Sequence, residues 1–126
     1  MTASSWPARL AVYGTLMRSA SAWKLLEPLV AGHEGSCVLP GTLYDTGRGY
    51  PAYRPGEGPG VPAELVRLRD PATALPVLDD YEGEEYRRVR CTVGGTSCWV
   101  YVWTPPVTGM SLLPHGWLGR LRGAWG

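Results

Sequence analysis

Seventeen glycines and twelve prolines break up a chain of 126 residues, and this punctuation constrains the fold more than any other feature of the sequence. Glycine weakens helix interiors and proline removes a backbone donor, so long helical bundles are nearly excluded. A content this high borders on low complexity. Yet six tryptophans and seven tyrosines run through the same stretches, and disordered chains lack such residues. With 44% hydrophobic residues, a chain of this length can bury roughly two-thirds of its unfolded surface. One loop-rich domain is expected over residues 1–126, with a core at about 9–104 and a tail, 105–126, packing over it.

Charge excludes several classes of partner. The net charge of +1 leaves no electrostatic footprint for nucleic acid or an anionic membrane. No stretch approaches the ~20 apolar residues of a membrane span, and the first fourteen residues hold no signal-peptide core. Cytosolic residence is the expectation. Cys37, Cys91 and Cys98 form no even framework and no C-x-x-C, while His33 and His115 stand far apart, so zinc spacing is absent and no metal site is expected. The missing Phe, Ile, Asn and Gln, with eleven Arg to one Lys, resemble the codon bias of a GC-rich genome.

Local patterns supply the elements. Arg9–Tyr13 reads as a short apolar strand stopped by Gly14. The loop Tyr13-Gly14-Thr15-Leu16-Met17 leads to an expected helix over Ser19–Glu27, capped by Ser19 or Ser21 and ended by Pro28 and Gly32. Gly35–Asp45 has strand character, broken by Pro40-Gly41 into two pieces or one bent edge strand. Thr46–Gly60 is the most loop-rich stretch, with a short strand inside it at Tyr50–Tyr53, and Val61–Arg69 reads as a half-buried strand. Asp70-Pro71 starts a helix that ends in Asp79–Gly83; Pro76 fits it only if the helix proper begins at Thr73. Trp117, Leu118, Leu121 and Trp125 have loosely helical spacing, as a short segment packed over the domain would.

The clearest element is a hairpin, Tyr86–Val93 and Thr96–Trp103 around Gly94-Gly95. Counting back from the turn pairs Val93 with Thr96, Cys91 with Cys98 and Arg88 with Tyr101. One face then carries Val89, Cys91, Val93, Cys98, Val100 and Val102, a core face. The other carries Tyr86, Arg88, Arg90, Trp99, Tyr101 and Trp103. That second face fits either an exposed ladder with cation–π contacts or the lining of a cavity for a small polar ligand. Cys91 and Cys98 fall at a hydrogen-bonded pair, whose wider spacing suits buried thiols better than a disulfide.

Two constellations bear on chemistry. A glycine between a strand and a helix lets successive N–H groups turn toward one anion, although such a loop alone is more often a plain connection. No G-x-G-x-x-G or G-K-[ST] accompanies it. The acidic run Asp79, Asp80, Glu82, Glu84, Glu85 is ordinarily a solvated helix end. Glu82 differs because Gly83 follows and the strand bearing Tyr86 starts directly after, so its carboxylate could point along the hairpin face toward Tyr86, Arg88 and Tyr101. Partial burial there would raise its pKa toward the range of general acid–base catalysis. Composition alone does not choose Glu82 over its neighbours. A cysteine nucleophile lacks a nearby histidine, and no G-x-S-x-G is present.

Val12-Tyr13-Gly14-Thr15-Leu16, Gly41-Thr42-Leu43-Tyr44-Asp45, Gly49-Tyr50-Pro51, Ala63-Glu64-Leu65 and Leu78-Asp79-Asp80-Tyr81-Glu82-Gly83, followed by Tyr86-Arg87-Arg88, occur in that order. The series resembles the γ-glutamylcyclotransferase-like superfamily, in particular its γ-glutamylamine cyclotransferase branch, from about residue 10 to 103. The resemblance implies an α+β fold, a small mixed β-barrel with a few flanking short helices and one cavity. It implies substrate binding by Tyr13, Gly14, Thr15 and Leu16, with Tyr86 and Tyr101 near the cavity and Glu82 as the catalytic acid/base. It further implies release of 5-oxoproline from a small γ-glutamyl substrate without metal or other cofactor. A binding barrel that keeps the cavity without catalysis is the alternative. Pro76, Ala63 (where the family usually has Gly) and the Trp-rich hairpin depart from the family pattern and bear on pocket shape. Unpaired edge strands and the tail are compatible with a monomer or a homodimer.

Overall fold

The computed structural model describes residues 7–125, with side chains through residue 120. Leu121 and Trp125, which the tail pattern invoked, have side chains outside the described residues, as do residues 1–6 altogether. Five strands form one sheet in the order β2-β5-β1-β7-β6: β1 (Arg9–Val12), β2 (Val30–Leu39), β5 (Val61–Leu68), β6 (Tyr86–Val93) and β7 (Thr96–Trp103). A second sheet has the order β4-β3-β8, with β3 at Thr42–Asp45, β4 at Pro51–Arg54 and β8 at Ser111–Leu112. The helices are α1 (Trp23–Leu26), continued by a 3₁₀ turn at Glu27–Leu29, then α2 (Pro71–Glu82) and α3 (Gly116–Trp125).

β1 lies at the centre, antiparallel to β5 and parallel to β7. Both of its faces are covered, which is why it reads as an unbroken apolar run. Leu10 and Val12 join Leu16, Met17, Leu26, Val66, Leu75, Leu78, Trp99 and Tyr101 in a core beneath α1 and α2. Ala11 and Tyr13 face the other way, into a core with Leu39, Leu43, Tyr53, Val61, Val100 and Trp117. The second sheet and α3 close that side.

The mixed α+β architecture is as expected, but the strands form two sheets rather than one closed barrel. The break falls at Pro40-Gly41. Proline has no N–H for the ladder, and Gly41 turns the chain at φ +130° into the second sheet. A Cβ on Gly41 would lie 2.2 Å from the Arg54 carbonyl oxygen, so only glycine fits this crossing.

The hairpin has the register counted from its turn: Cys91 opposite Cys98, Arg88 opposite Tyr101, and positive φ at both Gly94 and Gly95 as a type I′ turn requires. Both of its faces are buried in part, and on the second face the cation–π contacts form around a buried rather than an exposed tryptophan, next to the cavity lining. Arg88 and Arg90 lie over the Trp99 ring, at 4.3 and 5.4 Å, while Tyr86 and Tyr101 line a cavity.

Two local readings are corrected. The expected helix over Ser19–Glu27 is instead a series of turns, with helix only from Trp23. Its N-cap is Ala22, so neither Ser19 nor Ser21 caps it. Three-residue bonds (Met17 N–H to Gly14 O, Ala20 N–H to Met17 O) wind this stretch into successive tight turns, and a bond from Ala22 N–H back to Thr15 O closes it on itself. The second correction concerns Pro76, which lies well inside α2, because that helix starts at Pro71. Ala72, whose carbonyl loses its donor to the proline, is exposed like Pro76 itself, so the lost bond falls on the solvent side of the helix.

Candidate active site

Where the C-terminal ends of β1 and α2 meet the hairpin, they enclose a cavity of about 400 Å³. Its walls include Tyr13, Gly14, Thr15, Leu16, Glu82, Tyr86 and Tyr101, so all the residues singled out from the sequence face one space. Gly49, Tyr50, Pro51, Tyr81, Glu85 and Ser21 line it too, with Ala11 and Val12 of β1, and none of these was singled out from the sequence as a site residue.

The loop after β1 owes its shape to a close approach. A Cβ on Gly14 would sit 2.8 Å from Pro51 Cγ, within the ring of a neighbouring strand residue. Gly14 is therefore needed for packing rather than for an unusual φ. The loop's far end is held by Glu64 on β5, whose Oε1 accepts the Arg18 N–H at 2.8 Å. Thr15 Oγ1 and the Tyr81 hydroxyl are 2.8 Å apart, tying the loop to the end of α2. The N–H groups of Thr15 and Leu16 meet no acceptor among the described residues. Two unpaired amides on a cavity wall make a ready place for an anionic oxygen.

Tyrosine hydroxyls frame the opposite side. Tyr13 donates to the Tyr101 carbonyl at 2.6 Å, Tyr86 donates to the Pro51 carbonyl, and Tyr101 donates to Asp79 Oδ1 at 2.8 Å. Burial, reinforced by the charge of Glu82, holds all three phenols above their ordinary pKa, so they stay neutral.

Glu82 and Asp79 end α2 three residues apart and titrate in opposite directions. Arg88 grips Asp79 with two bonds, Nε to Oδ1 at 2.8 Å and Nη2 to Oδ2 at 3.1 Å, and this pairing lowers the Asp79 pKa. Glu82 is pushed up to about 7, first by burial and then by the negative charge of Asp79. No described residue donates a hydrogen bond to its carboxylate. A carboxyl near pKa 7 exchanges protons readily at neutral pH.

Gly83, at φ +82°, ends the helix directly after Glu82 and turns the chain into β6. Sequence spacing could have flagged Asp79, since three residues on a helix share a face. Arg88 stands on the hairpin face already aimed at the acidic run, whereas Arg48 gave no comparable signal, because its partner Glu85 lies 37 residues away. Among the described residues, no group of His, Cys, Asp or Glu is arranged to hold a metal ion.

The profile of the family described as gamma-glutamyl cyclotransferase, AIG2-like, matches residues 10–119. The chain belongs to this family. Its members' fold and enzyme class therefore apply to it, and the chain is a cyclotransferase. BH1612 of Halalkalibacterium halodurans, provisionally named a gamma-glutamylcyclotransferase, is 38% identical over 96 residues, 68% of this cyclotransferase and 86% of the relative. The solution structure of Escherichia coli ytfP is 36% identical, with a TM-score of 0.64 over 89% of this chain and 97% of that one. The crystal structure of a mouse AIG2-like protein is 25% identical, with a TM-score of 0.70 over 86% of each chain. The cyclotransferase has no helix, among its described residues, long and apolar enough to cross a membrane.

Proposed function

We propose that this cyclotransferase converts a γ-glutamyl amine into 5-oxoproline and a free amine, with Glu82 as general acid/base. The observation that carries the reading is a carboxyl pushed up to about 7 by burial, on the wall of a partly open cavity that residues with two unpaired amides also line.

A γ-glutamyl amide holds its own α-amine within ring-closing reach of the γ-carbonyl. Fixing that conformer is worth an effective molarity on the order of 10⁵ M or more. Proton management remains. Glu82 as carboxylate takes a proton from the α-ammonium, and the freed amine attacks the γ-carbonyl to close a five-membered lactam. Glu82 as acid then returns the proton to the departing nitrogen, and the second proton shed by the attacking nitrogen leaves with the amine as its ammonium form. One group serving both steps contributes roughly 10²- to 10⁴-fold. The N–H groups of Thr15 and Leu16 suit the substrate carboxylate or the developing oxyanion, and Tyr13, Tyr86 and Tyr101 give a neutral, hydrogen-bonding wall. We also assign the protein to the cytosol, a setting in keeping with its three free thiols, including the Cys91 and Cys98 sulfurs 3.3 Å apart.

The test is product analysis with a panel of γ-glutamyl amines. The reading predicts equimolar 5-oxoproline and amine. Glutamate in place of 5-oxoproline would indicate hydrolysis and overturn it.

A further inference from the structure

The rim of the cavity carries one charged group, Glu85, that the cyclisation itself does not use. Glu82 and Glu85 are the ionisable side chains on its walls besides the neutral tyrosines; no arginine, lysine or histidine lines it among the described residues. Glu82 is half-buried, and the Glu85 side chain, 41% exposed, stands at the mouth. A substrate with its glutamyl end against Thr15 and Leu16 and its scissile nitrogen at Glu82 sends its departing amine toward that mouth.

Glu85 is fixed there on both sides. Its backbone carbonyl accepts the Thr104 N–H at 2.9 Å and the Thr104 hydroxyl at 3.1 Å. Arg48 reaches Oε2 at 3.0 Å from outside, with its guanidinium over the Tyr50 and Trp103 rings at 5.2 and 5.6 Å. Among the described residues the second oxygen, Oε1, has only the Tyr50 hydroxyl at 3.5 Å, too long for a firm bond. Tyr50 and Tyr86 add two aromatic rings beside it, with centroids 6.3 Å apart. One weakly held carboxylate oxygen with tyrosine side chains nearby suits an ammonium group and repels a carboxylate.

We propose that the space bounded by Tyr50, Glu85 and Tyr86 is a subsite for the departing amine that selects amines with a second, distal positive charge, of the diamine class. The inference rests on the cyclisation reading above and assigns Glu85 as its specificity residue, with Arg48 holding Glu85 in place.

The experiment uses three isosteric substrates: the mono-γ-glutamyl amides of 1,4-diaminobutane, pentylamine and 5-aminopentanoate. Two readouts are taken, kcat/KM for 5-oxoproline release by the wild type and calorimetric affinity for the Glu82→Gln variant. The expected order is cation, neutral, anion, with about ten-fold or more between the first and last. Glu85→Gln should bring the diamine and pentylamine derivatives within about two-fold of one another. Arg48→Gln, which leaves Glu85 unneutralised, should widen the gap between diamine and 5-aminopentanoate derivatives. A wild-type preference for the anionic derivative, a diamine preference that survives Glu85→Gln in protein of unchanged circular dichroism, or no binding of any derivative would overturn the proposal. Binding in the expected order without turnover would instead overturn the cyclisation reading and leave the subsite standing.

Discussion

Asp79 and Glu82 project from the same side of the last turn of α2 toward β6 and β7, and their surroundings push their proton affinities apart. Asp79 is paired with Arg88 and accepts the Tyr101 hydroxyl, so it remains a carboxylate. Glu82, buried beside that charge, holds its proton up to about pH 7. Separating two nearby carboxyls in this way is how one site obtains a fixed anion and a mobile proton together. The separation has a stability consequence whose sign is definite. In the unfolded chain Glu82 ionises from its ordinary value of 4.5, while in the folded protein it does so only near 7. Its contribution is therefore neutral below pH 4.5 and becomes increasingly unfavourable up to pH 7, after which it is constant. Glu82→Gln should match the wild type in urea unfolding at pH 4 and exceed it at pH 8, by up to about 3 kcal/mol. Equal stability at both pH values would mean that Glu82 is not held in a low-dielectric site.

The elements differ in how much of them could be read from the chain. The hairpin was legible to the residue, because Gly94-Gly95 fixes the turn and a two-residue turn fixes every pair behind it. That register alone places Arg88, Tyr86 and Tyr101 on one face. The coil after β1 was not legible as such. Its serines and leucines match a capped helix, whereas its shape is set by contacts remote in sequence, Glu64 on the Arg18 amide and Pro51 against Gly14. The same holds for Thr46–Gly60, which looks like a linker until Arg48 is seen on Glu85. These contacts make the coil testable as an element. Gly14→Ala forces a Cβ to within 2.8 Å of Pro51 and must displace either β4 or the Thr15 and Leu16 amides. Overpacking of this kind costs about 1–3 kcal/mol. Substrate KM should rise more than kcat falls if, as proposed, the amides bind the glutamyl end in both ground and transition states. Asp79→Asn acts through the end of α2 instead. Removing the neighbouring charge should move the acidic limb of the pH–rate profile to lower pH.

For the whole molecule, the central strand β1 separates two cores and delivers its C-terminal end to the cavity. One core anchors α2 and hence Glu82; the other anchors Tyr13 and, through the second sheet, Tyr53 and β4. Glycine and proline, the feature that first limited the fold, now have separate tasks: Gly41 carries the chain between sheets, Gly14 admits Pro51 and Gly83 ends the helix that bears Glu82. The two-sheet arrangement was not foreseen, because sequence patterns show where a strand breaks and not which sheet its continuation joins. What the assembly achieves is a small, tyrosine-lined space with a proton-exchanging carboxyl on its wall. Steady-state 5-oxoproline release by the wild type and Glu82→Gln, measured across pH 5–9 on one γ-glutamyl amine, tests this most directly. The account predicts a wild-type kcat/KM that rises with pH through an apparent pKa of about 7, and a variant slower by roughly 10²-fold or more with that limb gone. A Glu82→Gln variant that turns over at the wild-type rate with the same pH profile would contradict it.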